Sequence, residues 1–250
     1  MFKVNKVNKA RKILKFLTSF LFKLFQLILG FKERRKDYGV EIFEYFYLPW
    51  RTDKKFLEYM NLIENHTLNP HSRLFNLYEI SKRYLIEDTS FFEIGCWRGG
   101  GIGLVALANK EKRIDYFACD TFSGVVNSSE RDSFFKNNEY SDATVNDVEE
   151  VAEITGSKFN IIEGNFPSSF NKNKLTKPIS LAHIDVDTYT SAKESLFFVI
   201  ENSIKGAVII LDDYGGWFTD GITLLGNELK LSENLLVFPN HVGQLIVIKR

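Results

Sequence analysis

Residues 90–101 read SFFEIGCWRGGG, an apolar run that carries one acidic residue and ends in a turn of glycines. A predicted helix over 100–111 follows at once, so the stretch indicates a strand, a tight turn and a helix N-terminus. Backbone N–H groups at such a turn lie close to a bound ligand, and the helix dipole favours negative charge there. The spacing E-x-G-x-x-x-G differs from the dinucleotide fingerprint, because Trp97 stands where the second glycine is required. Glu93 inside the strand favours a cationic ligand, and an ordinary strand-to-helix turn is the alternative.

Four more apolar runs follow, with helical stretches between them. The runs are IDYFACD (114–120), KFNIIEG (158–164), ISLAHID (179–185) and GAVIILDD (206–213), and the helical stretches cover 100–111, 144–155, 189–204 and 217–231. Strands that alternate with helices form a parallel sheet with right-handed crossovers. The last two runs, 234–238 and 244–250, are joined by a link too short for a parallel crossover, so they must form an antiparallel hairpin. We therefore expect an α/β fold with a mostly parallel seven-stranded sheet, an antiparallel C-terminal hairpin and helices on both faces.

The composition is that of an ordinary folded protein. The 250 residues are 44% hydrophobic and 26% charged, which excludes a disordered or collagen-like chain. The length leaves room for one large domain, or for one domain with an appendage. The two cysteines, Cys96 and Cys119, form no CxxC pair. This argues against a disulfide framework or a structural zinc site and fits a reducing compartment, so we expect a cytoplasmic protein.

The formal net charge of zero is a cancellation between two parts of the chain. Residues 1–36 carry eleven basic side chains and one acidic one, a balance of +10, which leaves −10 on residues 37–250. Nucleic acid is an unsuitable partner for the acidic body, because phosphate binding needs a positive face. The sequence is compatible with a homo-oligomer.

The basic N-terminal arm, residues 1–36, contains an amphipathic segment at 13–31. On a helix, its polar residues fall on one stripe and Ile, Leu and Phe cover most of the rest. A membrane span is disfavoured by Lys15 and Lys23, which would each cost ~2.5–3.5 kcal/mol on insertion. A helix lying in the interface at the cytosolic face of a membrane, with flanking Lys and Arg on anionic headgroups, is the favoured interpretation. Packing on the domain or on another subunit is the alternative.

Residues 37–88 are predicted to be a helical lead-in, and residues 89–250 the α/β domain. Helical spacing runs through Phe56, Met60 and Ile63, and a second helix is expected after Asn69-Pro70, since proline is favoured in the first turn of a helix.

Ligands of an open α/β sheet bind beyond the carboxyl ends of the strands, so the residues at those ends are the candidate site. Asp120 ends the second strand, where an acid suits ribose hydroxyls. Asn165 follows the third strand in a turn that could meet an adenine ring, although an ordinary turn explains it equally well.

Four carboxylates, Asp185, Asp187, Asp212 and Asp213, stand at the ends of the fourth and fifth strands. Such a cluster is costly without counter-charge, and an all-oxygen set favours Mg²⁺ or Ca²⁺ over zinc. Helix capping is the alternative, but it suits one aspartate better than four. His183 is expected to be a hydrogen-bonded core histidine.

Together, FFEIGCWRGGG, YFACDTFSG, NIIEGNFPSSF, HIDVDTYTSAKESL and AVIILDDYGGW resemble the macrocin O-methyltransferase family, over roughly residues 65–250. The resemblance implies a Rossmann-like class I methyltransferase that moves a methyl group from S-adenosylmethionine (SAM) to a sugar hydroxyl of a glycan, glycolipid or glycosylated metabolite. It also implies a set of cofactor-binding residues, namely Glu93, Gly95, Gly99 and Gly100 on the methionine and ribose side, Asp120 on the ribose diol and Asn165 at the adenine.

The same resemblance implies that Asp185, Asp212 and Asp213 hold Mg²⁺ and that Asp187 is the catalytic general base. A metal ion on two neighbouring hydroxyls of the acceptor would lower the pKa of the reacting one. A metal-dependent glycosyltransferase that uses Asp185 and Asp187 as a D-x-D pair is a rival interpretation. A non-enzymatic membrane-associated domain is the other.

Overall fold

The computed structural model describes residues 16, 17, 20, 21, 24 and 47–250. The chain divides into two units, residues 1–47 and residues 48–250. In the first unit, five described apolar residues are helical, and their side chains are 42–71% exposed: Phe16, Leu17, Phe20, Leu21 and Leu24. The rest of the predicted amphipathic segment 13–31, and the basic clusters beside it, lie outside the described residues. Among the residues that are described, no helix is both long and apolar enough to cross a bilayer.

The second unit is built on one seven-stranded sheet, in the order β3-β2-β1-β4-β5-β7-β6. Its strands are β1 (Ser90–Ile94), β2 (Asp115–Asp120), β3 (Phe159–Glu163), β4 (Ile179–Ile184), β5 (Ser203–Leu211), β6 (Leu235–Pro239) and β7 (Leu245–Lys249). The first five strands pair in parallel, whereas β7 runs antiparallel to β5 and β6. The predicted mostly parallel sheet with a C-terminal hairpin is confirmed. Because the chain reverses its direction of strand addition at β1 and β4, a crevice opens at their carboxyl ends.

Helices cover both faces of this sheet, as predicted. Within residues 47–250 the helices are α1 (Lys54–Ile63), α2 (His71–Tyr84), α3 (Gly100–Ala108), α4 (Val145–Thr155), α5 (Tyr189–Asn202) and α6 (Asp220–Leu229). Neighbouring residues of β1 divide the core: Phe91 packs with α1–α4 on one face, and Phe92 packs with α5 and α6 on the other. This alternation explains why strands buried on both sides read as continuous apolar runs.

The two lead-in helices form where the sequence pattern places them. The Asp53 side chain accepts a hydrogen bond from the backbone N–H of Phe56 (2.9 Å) and so caps the start of α1. Pro70 precedes α2, as the Asn69-Pro70 signal predicts. Both helices pack on α3, whose residues are all buried from Gly100 to Leu107. The lead-in helices therefore complete the core of the second unit.

Several boundaries differ from the sequence-based expectation, and helix α3 ends at Ala108 rather than at 111. Strand β5 begins at Ser203, three residues earlier than expected, because the Asn202 amide donates to the Phe198 carbonyl (2.7 Å) and ends α5 there. Helix α6 begins at Asp220 rather than at 217. Residues 212–219 form turns instead, and Thr219 donates its hydroxyl hydrogen to the Asp213 carbonyl (2.7 Å).

Candidate functional site

A cavity of about 360 Å³ opens at the carboxyl edge of the sheet, beside the crevice between β1 and β4. This volume is within the range of pockets that hold small organic ligands. Seven of the ten predicted site residues line it: Glu93, Gly95, Asp120, Asn165, Asp185, Asp187 and Asp213. Further lining comes from residues 67–70, from Arg73 on α2, and from residues 121, 124–126 and 140 of the connection between β2 and α4.

Gly95 brings the turn after β1 against the end of β4. Its φ is 84°, and a Cβ atom built on it would lie 1.9 Å from the Asp185 carbonyl oxygen. Any side chain would therefore collide with backbone at this point as well as straining the turn. The absence of a side chain holds the predicted cofactor turn beside the carboxylates of β4.

Glu93 is 3% exposed, and both of its carboxylate oxygens are engaged within the protein. Oε2 accepts a hydrogen bond from the Ile102 N–H at the start of α3 (2.6 Å), and Oε1 lies 3.0 Å from Nδ1 of His183. A Cβ on Gly101 would lie 1.9 Å from Oε1, so a glycine is needed there to admit the carboxylate. Glu93 lines the cavity, but its carboxylate holds the N-terminus of α3 and the His183 ring in place.

Gly99 and Gly100 lie outside the cavity lining. Gly99 has a φ of 84° and packs on Val148 of α4, while a Cβ on Gly100 would lie 2.6 Å from the His66 carbonyl oxygen. Both glycines thus let neighbouring backbone and helices approach the turn. Their predicted cofactor contacts remain predictions.

Asp120 and Asn165 lie at the ends of β2 and β3, as the sequence predicts. The Asp120 carboxylate accepts backbone hydrogen bonds from Trp97 (2.8 Å) and Phe122 (2.9 Å), and burial raises its pKa. The Asn165 side-chain oxygen accepts from the amide of Asn127 (3.1 Å), which belongs to the connection after β2. The two residues therefore mark the end of the cavity that is remote from the aspartate cluster.

Asp185, Asp187 and Asp213 form the aspartate cluster, and their carboxylate oxygens lie within 4.8 Å of one another. Burial and the charges of Asp212 and Asp213 raise the pKa of Asp185 to about 8. Burial and the charges of Asp185 and Asp213 raise the pKa of Asp187 well above its ordinary value. The cluster thus resists full ionisation unless positive charge enters it.

Asp212, 1% exposed, lies behind the cavity wall rather than in its lining. Its Oδ2 is 3.1 Å from Nε2 of His183 and 3.4 Å from the amide of Gln244, and its Oδ1 is 3.0 Å from Nη1 of Arg73. Burial opposes ionisation, but the hydrogen bond and charge of His183, together with the charge of Arg73, outweigh it and lower the pKa of Asp212. Asp212 is therefore held as an anion.

His183 joins the two halves of the site. It is 1% exposed, its Nδ1 lies 3.0 Å from Glu93 Oε1 and its Nε2 lies 3.1 Å from Asp212 Oδ2. The charged imidazolium can donate a hydrogen bond to both carboxylates. Burial disfavours that charge, but the two carboxylates outweigh it and raise the pKa of His183. The prediction of a hydrogen-bonded core histidine is confirmed. Because both nitrogens are engaged, His183 has no lone pair for a metal ion.

Three polar residues at the aspartates were missed in the sequence. The Asn69 amide donates to Asp185 (2.8 Å), Arg73 pairs with Asp212 and Asp213, and Gln244 from the C-terminal hairpin contacts Asp212. One signal was available for Arg73, because a cation in the first turn of a helix opposes the helix dipole and calls for an acidic partner elsewhere.

The donor chemistry of the cluster suits a hard divalent cation. The available ligand atoms are carboxylate oxygens, and a divalent charge would offset the repulsion that raises the pKa values of Asp185 and Asp187. Zinc is a poorer fit, because the neighbouring histidine is already bound on both sides and Cys96 does not belong to the cluster.

The fold is shared with known methyltransferases. The O-methyltransferase NovP superposes with a TM-score of 0.56 at 16% identity, covering 74% of this chain and 82% of NovP. The calicheamicin methyltransferase CalS11 gives a TM-score of 0.57 at 14% identity over 85% of this chain and 99% of CalS11. An O-methyltransferase from Bacillus cereus in complex with SAH gives 0.50 at 14% identity, covering 79% of this chain and 91% of that one.

No curated protein sequence shows significant similarity to the chain. The sequence profile of the macrocin-O-methyltransferase (TylF) family matches residues 63–230. Every residue that lines the cavity lies inside this matched segment, which spans more than half of the 250 residues. The chain belongs to the macrocin O-methyltransferase family and is a SAM-dependent O-methyltransferase.

Proposed function

We propose that the protein transfers the methyl group of SAM to a hydroxyl of a sugar, with Mg²⁺ held by Asp185, Asp212 and Asp213. The observation that carries this proposal is one cavity with the predicted cofactor residues at one end and the aspartate cluster, Asp185, Asp187 and Asp213, at the other. Asp212 lies behind the wall at that end. A sugar is favoured as the acceptor because the O-methyltransferases NovP and CalS11 share the fold, and CalS11 is a TDP-rhamnose 3′-O-methyltransferase.

SAM would lie along the ends of β1, β2 and β3. Gly95 leaves room for its approach, Asp120 would accept hydrogen bonds from the ribose hydroxyls, and Asn165 would lie at the adenine. The sulfonium of SAM is a cation, so an acidic cavity favours its binding, and the fixed turn after β1 aligns it for transfer.

The acceptor hydroxyl would enter beside the aspartate cluster. A sugar hydroxyl is a very weak acid, so its attack on the methyl group requires loss of its proton as the new bond forms. Asp187 lines the cavity and would accept that proton on a carboxylate oxygen. Bound Mg²⁺ would supply positive charge that lowers the pKa of the hydroxyl.

The reaction itself is tested by product analysis. We expect the purified chain, with SAM and Mg²⁺, to methylate one member of a panel of nucleotide-sugars and glycosides. Mass spectrometry should show a product in which a methyl group replaces one hydroxyl hydrogen. Product formation should stop in EDTA. Isothermal titration separates the rivals, because binding of a nucleotide-sugar without binding of SAM would favour the glycosyltransferase. Binding of neither SAM nor Mg²⁺ would favour a non-enzymatic domain.

The second part of the proposal places the enzyme at the cytosolic face of a membrane through residues 1–36. The +10 balance of this arm suits an anionic surface, where each Lys or Arg contributes ~1 kcal/mol. The five apolar residues described between positions 16 and 24 are exposed and helical, with the i, i+4, i+8 spacing of one helix face at Phe16, Phe20 and Leu24. The acceptor would then be a membrane-associated or lipid-linked glycan.

Removal of residues 1–36 should abolish sedimentation with anionic vesicles and leave methylation of a small free acceptor intact. The triple variant Phe16→Ser, Phe20→Ser, Leu24→Ser should weaken sedimentation too, because it removes apolar area without changing charge. Leu231→Ser is the matched control, since Leu231 is 86% exposed but lies in the other unit. If the full chain does not sediment with anionic vesicles at low salt, the membrane proposal is wrong.

A further inference from the structure

Arg73 occupies the position between two of the proposed metal ligands. Its Nη1 atom lies 3.0 Å from Oδ1 of Asp212 and 2.6 Å from Oδ1 of Asp213, so one guanidinium nitrogen contacts both carboxylates. The side chain is 18% exposed and reaches the cluster from the first turn of α2. Its Nε atom donates to the Val242 carbonyl (3.0 Å). The guanidinium thus supplies the positive charge that these acids need when no metal ion is present.

Arg73 and Mg²⁺ would compete for the same two oxygens. Mg²⁺ binds oxygen at about 2.0–2.1 Å, so an ion on both Oδ1 atoms would lie against the guanidinium nitrogen. Like charges in contact at a partly buried site repel strongly, and each carboxylate oxygen would have to divide its charge between two cations. Asn69 approaches Asp185 but carries no charge, and His183 contacts the other oxygen of Asp212, Oδ2. The conflict at the two Oδ1 atoms therefore concerns Arg73.

Resting on the proposed magnesium site, we propose that Arg73 is the counter-cation of the metal-free cluster and competes with the divalent cation for Asp212 and Asp213. The hydrogen bond from Nε to Val242 gives the side chain an anchor that does not involve the carboxylates. Metal binding therefore turns the guanidinium away from Asp212 and Asp213 while α2 keeps its place. Arg73 also lines the cavity, so its release changes the wall that faces the acceptor.

Arg73→Gln tests the competition by direct metal binding in the full chain. We expect the variant to bind Mg²⁺ and Mn²⁺ about tenfold more tightly than the wild type or better, because the competing charge is gone. Arg73→Lys keeps the charge and should stay near the wild type. Arg83→Gln is the matched control, since Arg83 lies on the same helix but pairs with Glu79 at the surface. Titration calorimetry and the electron paramagnetic resonance signal of free Mn²⁺ measure the affinities.

The outcomes separate this inference from the proposed function. Equal or weaker binding by Arg73→Gln overturns the competition while leaving the magnesium site in place. If Arg73→Gln binds the metal ion and the wild type does not, the competition is supported, and the wild-type reaction does not use Mg²⁺. Binding by neither overturns both. If Arg73→Gln fails to bind SAM and so proves misfolded, the test is made on the wild type. The NMR signal of the Arg73 Nε–H, assigned by its loss in Arg73→Lys, should shift on addition of Mg²⁺. An unchanged signal overturns the inference.

Discussion

Replacement of Asp187 by asparagine should lower turnover by ~10²–10⁴-fold, the usual contribution of a general base, while Mg²⁺ binding stays near the wild-type level. Asparagine has almost the shape of aspartate but cannot accept the proton of the acceptor hydroxyl. The choice of asparagine also suits the backbone, because Asp187 has a φ of 62°, and asparagine tolerates this left-handed region better than most residues. The loss should therefore report chemistry rather than strain.

The measurement is single-turnover methyl transfer with saturating SAM, alongside calorimetric titration with Mg²⁺. Asp88→Asn is a suitable control, because Asp88 is an exposed acid with a φ of 60° that pairs with Arg113 and does not line the cavity. An Asp187→Asn enzyme that turns over at the wild-type rate at neutral pH would exclude Asp187 from proton transfer. Loss of Mg²⁺ binding would instead show that Asp187 is a ligand.

The sheet could be predicted from the sequence because its signals are local. Apolar runs of strand length, separated by helical stretches, admit few arrangements, and the short link before 244–250 forces a hairpin. The same logic places the aspartates, since strands that run in parallel end at the same edge. Sequence reasoning therefore reached Asp120, Asp185 and Asp213 without knowledge of any contact.

The partners of those aspartates could not be predicted in this way. Arg73 meets Asp213 across 140 residues of sequence, and Asn76 meets Gln244 across 168, so these pairs depend on how α2 packs beside the C-terminal hairpin. Glu93 shows the same limit in another form. Its place in β1 was evident, but only the packing of Gly101 and His183 shows that both of its oxygens are engaged inside the protein.

The chain from Glu93 through His183 to Asp212 connects the turn after β1 with the proposed metal ligands. All three side chains are at most 4% exposed, and the imidazolium lies between two carboxylates. Buried charges need such pairing, and removing one member leaves the others uncompensated. Arg73 extends this set to Asp213, so one network of charges links the strand before the Gly95 turn with the aspartate cluster.

The largest effects are therefore expected at Asp185 and Asp212. Asp185→Ala and Asp212→Ala should both abolish methyl transfer, because each removes a proposed Mg²⁺ ligand. SAM binding should persist in both, since the cofactor residues lie at the other end of the cavity.

The two variants should differ in stability, and this difference is what separates a structural role from a role in the reaction. Asp185 receives one side-chain hydrogen bond, from the neutral amide of Asn69, so its loss leaves no cation unpaired. Asp212 pairs with both His183 and Arg73 behind the cavity wall, and breaking a buried ion pair of this kind costs about 3–5 kcal/mol. Urea unfolding should show the large loss in Asp212→Ala and a small one in Asp185→Ala, with titration calorimetry reporting SAM affinity. Full activity of either variant in the presence of EDTA would refute the metal assignment, because a reaction that needs neither the ligand nor the ion does not use the site.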